Sequence, residues 1–529
     1  MSSDLTSSGT AEAPAAVAAD EGWRRLDPRT IWVAPLRPLG TLGLTGLIVV
    51  TFRGWDKLGL AEPLIGLAVA VGAFALSAWS WSTTRYRITP IQVELRSGIL
   101  VRKHRAVARD RLRTVDITAD LLHRIAGLAI VAVGTGRQGG EADDELKLES
   151  LARHEADQLR TVLLARRPAP VAPVDAVAPD APAPEPAAPA EEPLSQFDPR
   201  WVLLAPLSLM GLVAVAVVAG AAAQLLRGAL GDEVFSSAPA RAAWSWVASF
   251  PVLGVVAVVL VVLLVTNAVL SPVLYVLVYG GYRLTRHRDS LHVTYGLITQ
   301  RSVTIEERRI RGVRLAEPLL LRAVLAGRLA AVAAGLGAKK DSEGKEGKAN
   351  DMLLPTAPLD EAHRVAAAVL RCAESPLAAP MRRHPTAALR PIALQWSVFA
   401  VPAVVLAVLA ALDVVPGWLP EAALTLVVAG AVGAWLEYSN LGHARVGDHL
   451  VARHGSGVRT TTAVRCDGII AWQFRRSVLQ RRPRLLTATA AVAAGKGAHT
   501  IHYAGQDGVL LVARDAVPGL LEPFLEPDT

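Results

Sequence analysis

Residues 86–98 read YRITPIQVELRSG, and residues 282–296 read YRLTRHRDSLHVTYG. Both open on Tyr-Arg-aliphatic-Thr and close on a glycine, Gly98 and Gly296. Inside the first, Val93 and Leu95 alternate with polar residues, the period of a half-buried strand. The echo continues downstream. Leu112 and Ile310 each stand 14 residues past the glycine; Leu121-Leu122 and Leu319-Leu320 follow, each two residues before an arginine, Arg124 or Arg322. Gly455, Ile469, Val478-Leu479 and Arg481 repeat the spacing, although the opening there is Ala444-Arg445-Val446-Gly447. Coincident offsets in three places make an internal repeat, which governs the reading of every element inside it. Each copy runs on through a short apolar strand to Gly-x-Gly, at Gly134/Gly136, Gly335/Gly337 and Gly495/Gly497. An amphipathic helix then ends it, expected over Glu149–Arg166, Leu359–Cys372 and Ala516–Leu525. The pattern predicts an antiparallel barrel or sandwich capped by a helix, of roughly 80–100 residues.

Apolar windows precede each copy. Pro38–Phe52 holds 15 charge-free residues, Pro63–Thr84 holds 22, Trp201–Leu226 holds 26, Ala242–Tyr282 holds 41 and Pro391–Leu412 holds 22; Val414–Leu436 carries Glu421 alone. A bilayer core needs about 20 apolar residues as helix, so six spans in three hairpins are expected. The longest window would make a helix of about 60 Å; it is read as one span over Trp246–Val269 that leaves the membrane at Pro272. The first two hairpins are introduced alike, by Asp27-Pro28-Arg29 and Asp198-Pro199-Arg200. Arg24, Arg25, Arg29 and Arg37 precede the first span, the long segments after each hairpin are Arg-rich, and the loop between the last two spans has no basic residue. The positive-inside rule then places both termini and all three long segments in the cytoplasm.

Composition agrees. Of 529 residues 52% are apolar and only 19% charged, with mean hydropathy +0.35, against about a quarter charged in soluble domains. Two distant cysteines exclude a disulfide framework and a CxxC metal site. Pro and Ala fill 18 of the 26 positions of 168–193, a semi-rigid tether. Neither HExxH nor GxSxG occurs. The loop Lys339–Asp351 lacks phosphate-loop spacing and has Lys345 where a calcium loop needs an acid or Asn. No catalytic residue, metal site or cofactor is expected, and no enzymatic activity. The spans hold almost no ionisable groups, which favours anchors over the alternative, a small-molecule transporter or channel component.

The remaining signal is basic charge beside a membrane. Residues 85–124 hold ten Lys/Arg and four acids, 282–322 nine and four, and 445–484 nine and two. Such segments attract anionic lipid. The candidate anionic-surface residues are Arg102, Lys103, Arg105, Arg109, Arg111, Arg113, Arg308, Arg309, Arg311, Arg475 and Arg476. Arg109, Arg111 and Arg113 alternate, and on a strand would share one face. The plainer reading is a solvated, positive-inside face. Aromatic residues do not interleave with the arginines except at Trp472–Arg476, so nucleic acid is not an expected partner.

Paired apolar spans followed by Tyr-Arg-[Ile/Leu]-Thr, the glycine, the arginines and Leu-Leu-x-Arg resemble the bacterial membrane-anchored PH-like domain family of the YdbS and YdbT type. The resemblance implies a multi-pass α-helical membrane protein with three cytoplasmic PH-like β-barrel domains, each of seven antiparallel strands plus a C-terminal helix. Under it the chain divides into a disordered tail (1–30), hairpin one (31–84), domain one (85–166), Pro/Ala linker (167–195), hairpin two (196–279), domain two (280–374), linker (375–390), hairpin three (391–438) and a diverged domain three (439–526). It implies a scaffold in the bacterial cytoplasmic membrane. Its expected partners are lipid headgroups or proteins, among them a related PH-like membrane protein, and its expected context is envelope stress or resistance to membrane-active compounds.

Overall fold

The computed structural model describes residues 22–36, 61–89, 91–98, 103–108, 114–134, 145–164, 192–208, 252–333, 339–340, 346–347, 351–416, 418–492 and 497–522, with isolated positions between. Three units follow one another. In the first, β1 (Arg24–Arg25), β2 (Arg85–Ile88), β3 (Gln92–Ser97) and β4 (Lys103–Ala108) make a four-stranded sheet. Three further strands, β5 (Thr114–Ala119), β6 (Leu128–Gly134) and β7 (Glu145–Ala152), precede the helix Arg153–Leu164. The second unit has β8 (Glu192–Gln196), β9 (Arg283–His287), β10 (Ser290–Tyr295) and β11 (Gln300–Glu306), then β12 (Ile310–Pro318) and β13 (Ala326–Ala333). A small excursion, β14 (Lys339–Lys340) and β15 (Glu346–Gly347), leads to β16 (Met352–Pro358) and the helix Leu359–Leu370. The third has β17 (Arg382–Arg383), β18 (Gly442–Val446), β19 (His449–His454), β20 (Val458–Arg465), β21 (Ile469–Arg475), β22 (Leu485–Val492), β23 (Ala498–Gly505) and the helix Gln506–Ala516.

Each unit closes its own core between four strands, three strands and the helix. Val93 and Leu95 meet Val131, Leu148 and Leu159 in the first; Leu291 and Val293 meet Val313, Leu329 and Val365 in the second; Leu450 and Ala452 meet Leu486 and Val509 in the third. Period-two strands create these apolar faces, and burying them is the main favourable term in each fold. The units are also fused. β5 pairs with β11 and β12 with β20, giving two seven-stranded sheets in the orders β7-β6-β5-β11-β10-β9-β8 and β16-β13-β12-β20-β19-β18-β17. The register recurs: Ile117 opposes Ser302, and its repeat counterpart Leu315 opposes Thr461.

The first strand of every unit precedes its hairpin. β1 pairs with β2 (Arg24 opposite Tyr86), β8 with β9 (Gln196 opposite Arg283) and β17 with β18 (Arg383 opposite Gly442). This differs from the expected divisions, in which Arg24–Arg25 fell in the tail, most of β8 in the Pro/Ala linker and Arg382–Arg383 in the second linker. Strands of two to five residues carry no periodicity; the unpaired edges of β2, β9 and β18 recruit them.

Four described helices are long and apolar enough to cross a membrane: Leu64–Thr83, Ala257–Tyr279, Thr386–Ala411 and Leu419–Asn440. The expected span Pro38–Phe52, and nearly all of Trp201–Leu226 beyond Ser208, lie outside the described residues. Trp201 itself is not membrane-embedded. It sits in a 3-10 helix, Pro199–Leu207, capped by the Asp198 side chain, and packs at 6.0 Å from Tyr282 in the second unit's core. The helix Val252–Tyr279 runs unbroken through Pro272. Its last turns enter the second unit, where Tyr275 Oη donates to the Thr356 carbonyl at 2.6 Å. Thus apolarity alone overstated the lipid-facing length. The third C-terminal helix is Gln506–Ala516, not Ala516–Leu525; Val509, Val512, Ala513 and Ala516 make its buried face. The first begins at Arg153, because Glu149–Ala152 completes β7.

Candidate membrane-facing site

Hydrogen bonds to helix ends fix which end of the second and third units lies against the apolar helices. Gly296 N–H donates to the Gly280 carbonyl at 2.9 Å and Leu297 N–H to the Leu277 carbonyl at 3.0 Å, so the β10–β11 turn rests on the end of the helix Val252–Tyr279. Asn440, last residue of the helix Trp418–Asn440, donates through Nδ2 to the Gly455 carbonyl at 2.8 Å. Both turns require glycine. Gly296 has φ +104° and a Cβ there would lie 2.1 Å from the Thr299 carbonyl oxygen; for Gly455 the values are +103° and 2.2 Å from that of Val458.

The same end carries the short helices that follow β5 and β12, Leu121–Ile125 and Leu319–Ala323. Their arginines latch one unit to the next. Arg124 Nη1 donates to the Leu297 carbonyl, and Arg322 Nη1 to Asn440 Oδ1 at 3.0 Å. Leu319 N–H also donates to the Gly457 carbonyl at 2.9 Å. Around these latches large apolar side chains face outward. Leu121, Ile125, Leu297 and Ile298 do so at the first junction, and Leu319, Leu320, Leu325 and Val458 at the second; Val478 and Leu479 stand at the corresponding place in the third unit. Ile125 is 77% exposed and Val478 76%. Turns in water are ordinarily built from Gly, Pro, Asn, Asp and Ser, and contiguous exposed apolar surface marks a partner or a membrane. Here it lies where apolar helices enter their domains. Moving it out of water is worth about 25 cal/mol per Å².

The structure separates the predicted basic residues. From Gln300 at this end, β11 runs to Glu306, a distance of about 20 Å over seven residues. Arg308, Arg309 and Arg311 therefore lie at the far end of the sheet, beyond the screening length of about 8 Å from the helix-end surface. They are also spoken for. Arg308 and Arg309 contact Glu306 at 2.6 and 3.1 Å, and Arg311 reaches Asp467 of the third unit at 3.8 Å. That placement sets them apart from the ends of the apolar helices. Arg475 and Arg476 are exposed just before the outward-facing Val478, and Arg476 also donates to Gln506. Lys103 and Arg105 lie in β4, five residues and more after Gly98, the first unit's counterpart of Gly296. Arg102, Arg109, Arg111 and Arg113 are outside the described residues.

Sequence reasoning used Arg124 and Arg322 only as spacing marks and the Leu-Leu pairs as repeat landmarks. The usable signal was an apolar pair just past a strand and just before an arginine, at a turn rather than inside a periodic run. At the first seam a cavity of about 230 Å³ is lined by Arg153, His292, Gln300 and Ser302 among others. Its polar groups already pair, Arg153 Nη2 with Gln300 Oε1 at 2.9 Å and His292 Nδ1 with Thr304 Oγ1 at 2.9 Å. Among the described residues no group of three His, Cys, Asp or Glu is placed to hold a metal ion.

Comparison with known proteins bears on this architecture. The bacterial PH domain family matches residues 38–167 and 233–372, together half of the chain. The chain belongs to the bacterial PH domain family. The two matches of this bacterial PH domain protein cover most of units one and two with helices that precede them; the third unit lies outside. The UPF0699 transmembrane protein YdbT of Bacillus subtilis (strain 168) is 23% identical over 292 residues, which cover 52% of this chain and 56% of that relative. The chain thus spans about half the length of the curated relative it matches. No solved structure matches. With its apolar helices, this bacterial PH domain protein is a membrane protein of the YdbT type.

Proposed function

We propose that the protein is a scaffold of three PH-like units seated on the cytoplasmic face of the bacterial membrane by three hairpins, six spans in all. Two strands bonded in one sheet lie on one side of a bilayer, so the chain between β1 and β2, β8 and β9, or β17 and β18 crosses an even number of times. Gly211 supports a returning helix in hairpin two: a Cβ there would overlap Ser271 and Asn267. Positive-inside bias makes the common side cytoplasmic. The exposed apolar tips beside the helix ends carry the reading. They would enter the interfacial layer, with Arg475 and Arg476 meeting anionic headgroups. The units would present their outer surfaces to protein partners, a related PH-like membrane protein among them, in envelope stress or resistance to membrane-active compounds.

The test uses the full protein in lipid nanodiscs with Cys372 and Cys466 replaced by Ser. A fluorophore on Ile125→Cys or Leu325→Cys should be quenched by lipids spin-labelled near the headgroup, and one on Arg308→Cys should not. Quenching at Arg308→Cys alone would reverse the orientation. Reporter fusions at Ser195 and Glu374 should both report cytoplasm, and a periplasmic signal at Glu374 would end the hairpin scheme.

A further inference from the structure

The two seams follow one rule: the fifth strand of a unit pairs with the fourth strand of the next. Applied along three units, the rule leaves one fourth strand and one fifth strand over. Among the described residues these are β4, bonded to β3, and β21, bonded to β22, with no second partner strand. The leftover residues look like the two halves of a third seam. In the formed seam Val313 and Leu315 are buried under β20; their counterparts Trp472 and Phe474 on β21 remain partly exposed. Thr461 and Ala463 are fully buried; their counterparts His104 and Ala106 on β4 are exposed. Trp472 Nε1 has no hydrogen-bond partner among the described residues although it is buried. The latch is left over too. Arg481, in the place of Arg124 and Arg322, is exposed, and the Gly98 turn, with φ +125°, stands in the place of Gly296 and Gly455. An edge with unpaired backbone groups and apolar side chains is a template for another strand.

We propose that β21 of one molecule pairs with β4 of a second copy, continuing the two internal seams between molecules. The recurrent register sets the pairing: Phe474 opposite His104, Gln473 opposite Arg105 and Arg475 opposite Lys103. Arg481 then latches the turn at Gly98 of the neighbour. The contact is head-to-tail, so it builds rows or rings and not closed twofold dimers. It places Arg475 against Lys103, a like-charge pair that weakens the contact and makes it tighten with salt.

Cross-linking of the full protein in membranes tests this, with Cys372 and Cys466 replaced by Ser. Two differently tagged chains, one carrying Gln473→Cys and the other Arg105→Cys, should form a mixed disulfide dimer on mild oxidation. The off-register pair Gln473→Cys with Lys103→Cys should form several-fold less. A chain carrying both Gln473→Cys and Arg105→Cys should give a ladder of multimers. Lys103→Glu should raise the mixed-dimer yield at sub-saturating expression by about five-fold, since it turns a repelling pair into an attracting one. Arg481→Ala should lower it while Arg482→Ala leaves it unchanged. Absence of the mixed dimer overturns the proposal. So does cross-linking of the doubly substituted chain only to itself, which would mean that β4 and β21 close within one molecule. Equal yields in and out of register would overturn the register.

Discussion

In the second unit β12 lies inside a seven-stranded sheet, with Val313, Leu315 and Glu317 buried beneath β20. In the third unit β21 follows a 3-10 turn just as β12 does and carries the larger apolar residues Trp472 and Phe474. Among the described strands it has a neighbour on one side only. The strands differ less in propensity than in partnership: β12 pairs with β20 of the next unit, and among the described residues β21 pairs with β22. A covered edge can hold a buried charge. Glu317 is 2% exposed and takes two hydrogen bonds from Arg459 of the next unit, at 2.8 Å from Nε and 2.5 Å from Nη2. The position equivalent to Glu317 in the third unit is Arg476, which is exposed. The seam is therefore where this protein converts surface charge into attachment between units.

The largest expected effect breaks that ion pair. Arg459→Ala strands a buried carboxylate and should destabilise the second and third units by about 3–5 kcal/mol. Arg476→Ala should stay within about 0.5 kcal/mol. Equal losses in denaturant unfolding of the detergent-solubilised protein would mean that the seam is no different from the open edge. Next comes packing. Leu315→Ala should cost about 2–5 kcal/mol by transfer and cavity terms, and Phe474→Ala less, because its ring is only partly buried. A cost at Phe474 as large as at Leu315 would show that something covers β21 in the protein as purified.

Acid should then distinguish the third unit. His384 Nε2 and His443 Nδ1 lie 2.9 Å apart in its interior. Burial, then His443, pushes His384 down to about 4; burial, then Arg382, does the same to His443. Folded values below the ordinary 6.5 mean that the unfolded chain binds more protons between about pH 4 and pH 6.5. The stability is thus complete above about 6.5 and lost as pH falls toward about 4. Tryptophan fluorescence and limited proteolysis should show the third unit opening before the second. Replacement of both histidines by Gln should weaken the pH dependence without abolishing it, because burial also lowers His449, His499 and His502. The smallest effect concerns the outer pair at the same seam. Arg311 and Asp467 are both substantially exposed, so Arg311→Ala should cost no more than about 1 kcal/mol and lose even that at high salt. A loss as large as that of Arg459→Ala would place this pair, too, in the energetics of attachment.

The repeat, the four described apolar helices and the strand-rich character of each copy were determined by the sequence itself, while the Pro/Ala segment 168–193 lies almost wholly outside the described residues. Tyr-Arg-aliphatic-Thr, the glycine and the Leu-Leu-x-Arg recur as letters, and 20 apolar residues in a row have one inexpensive fate in a cell. Gly98, Gly296 and Gly455 were visible as turns for the same local reason, the steric cost of φ near +100° to any other residue. What only the tertiary structure decided was partnership. Whether Leu121 or Ile125 is core or rim depends on which end of the sheet the membrane helix occupies, and no local window contains that. The pairings β5·β11 and β12·β20 join residues of different copies, and the pre-hairpin strands are too short to leave a period. The arginines show the same division. Their number and sign were legible, because net charge is a sum over residues. Their roles were not, because an arginine at the far end of a strand is separated from one at the membrane by the strand's length, and electrostatic energy depends on that distance.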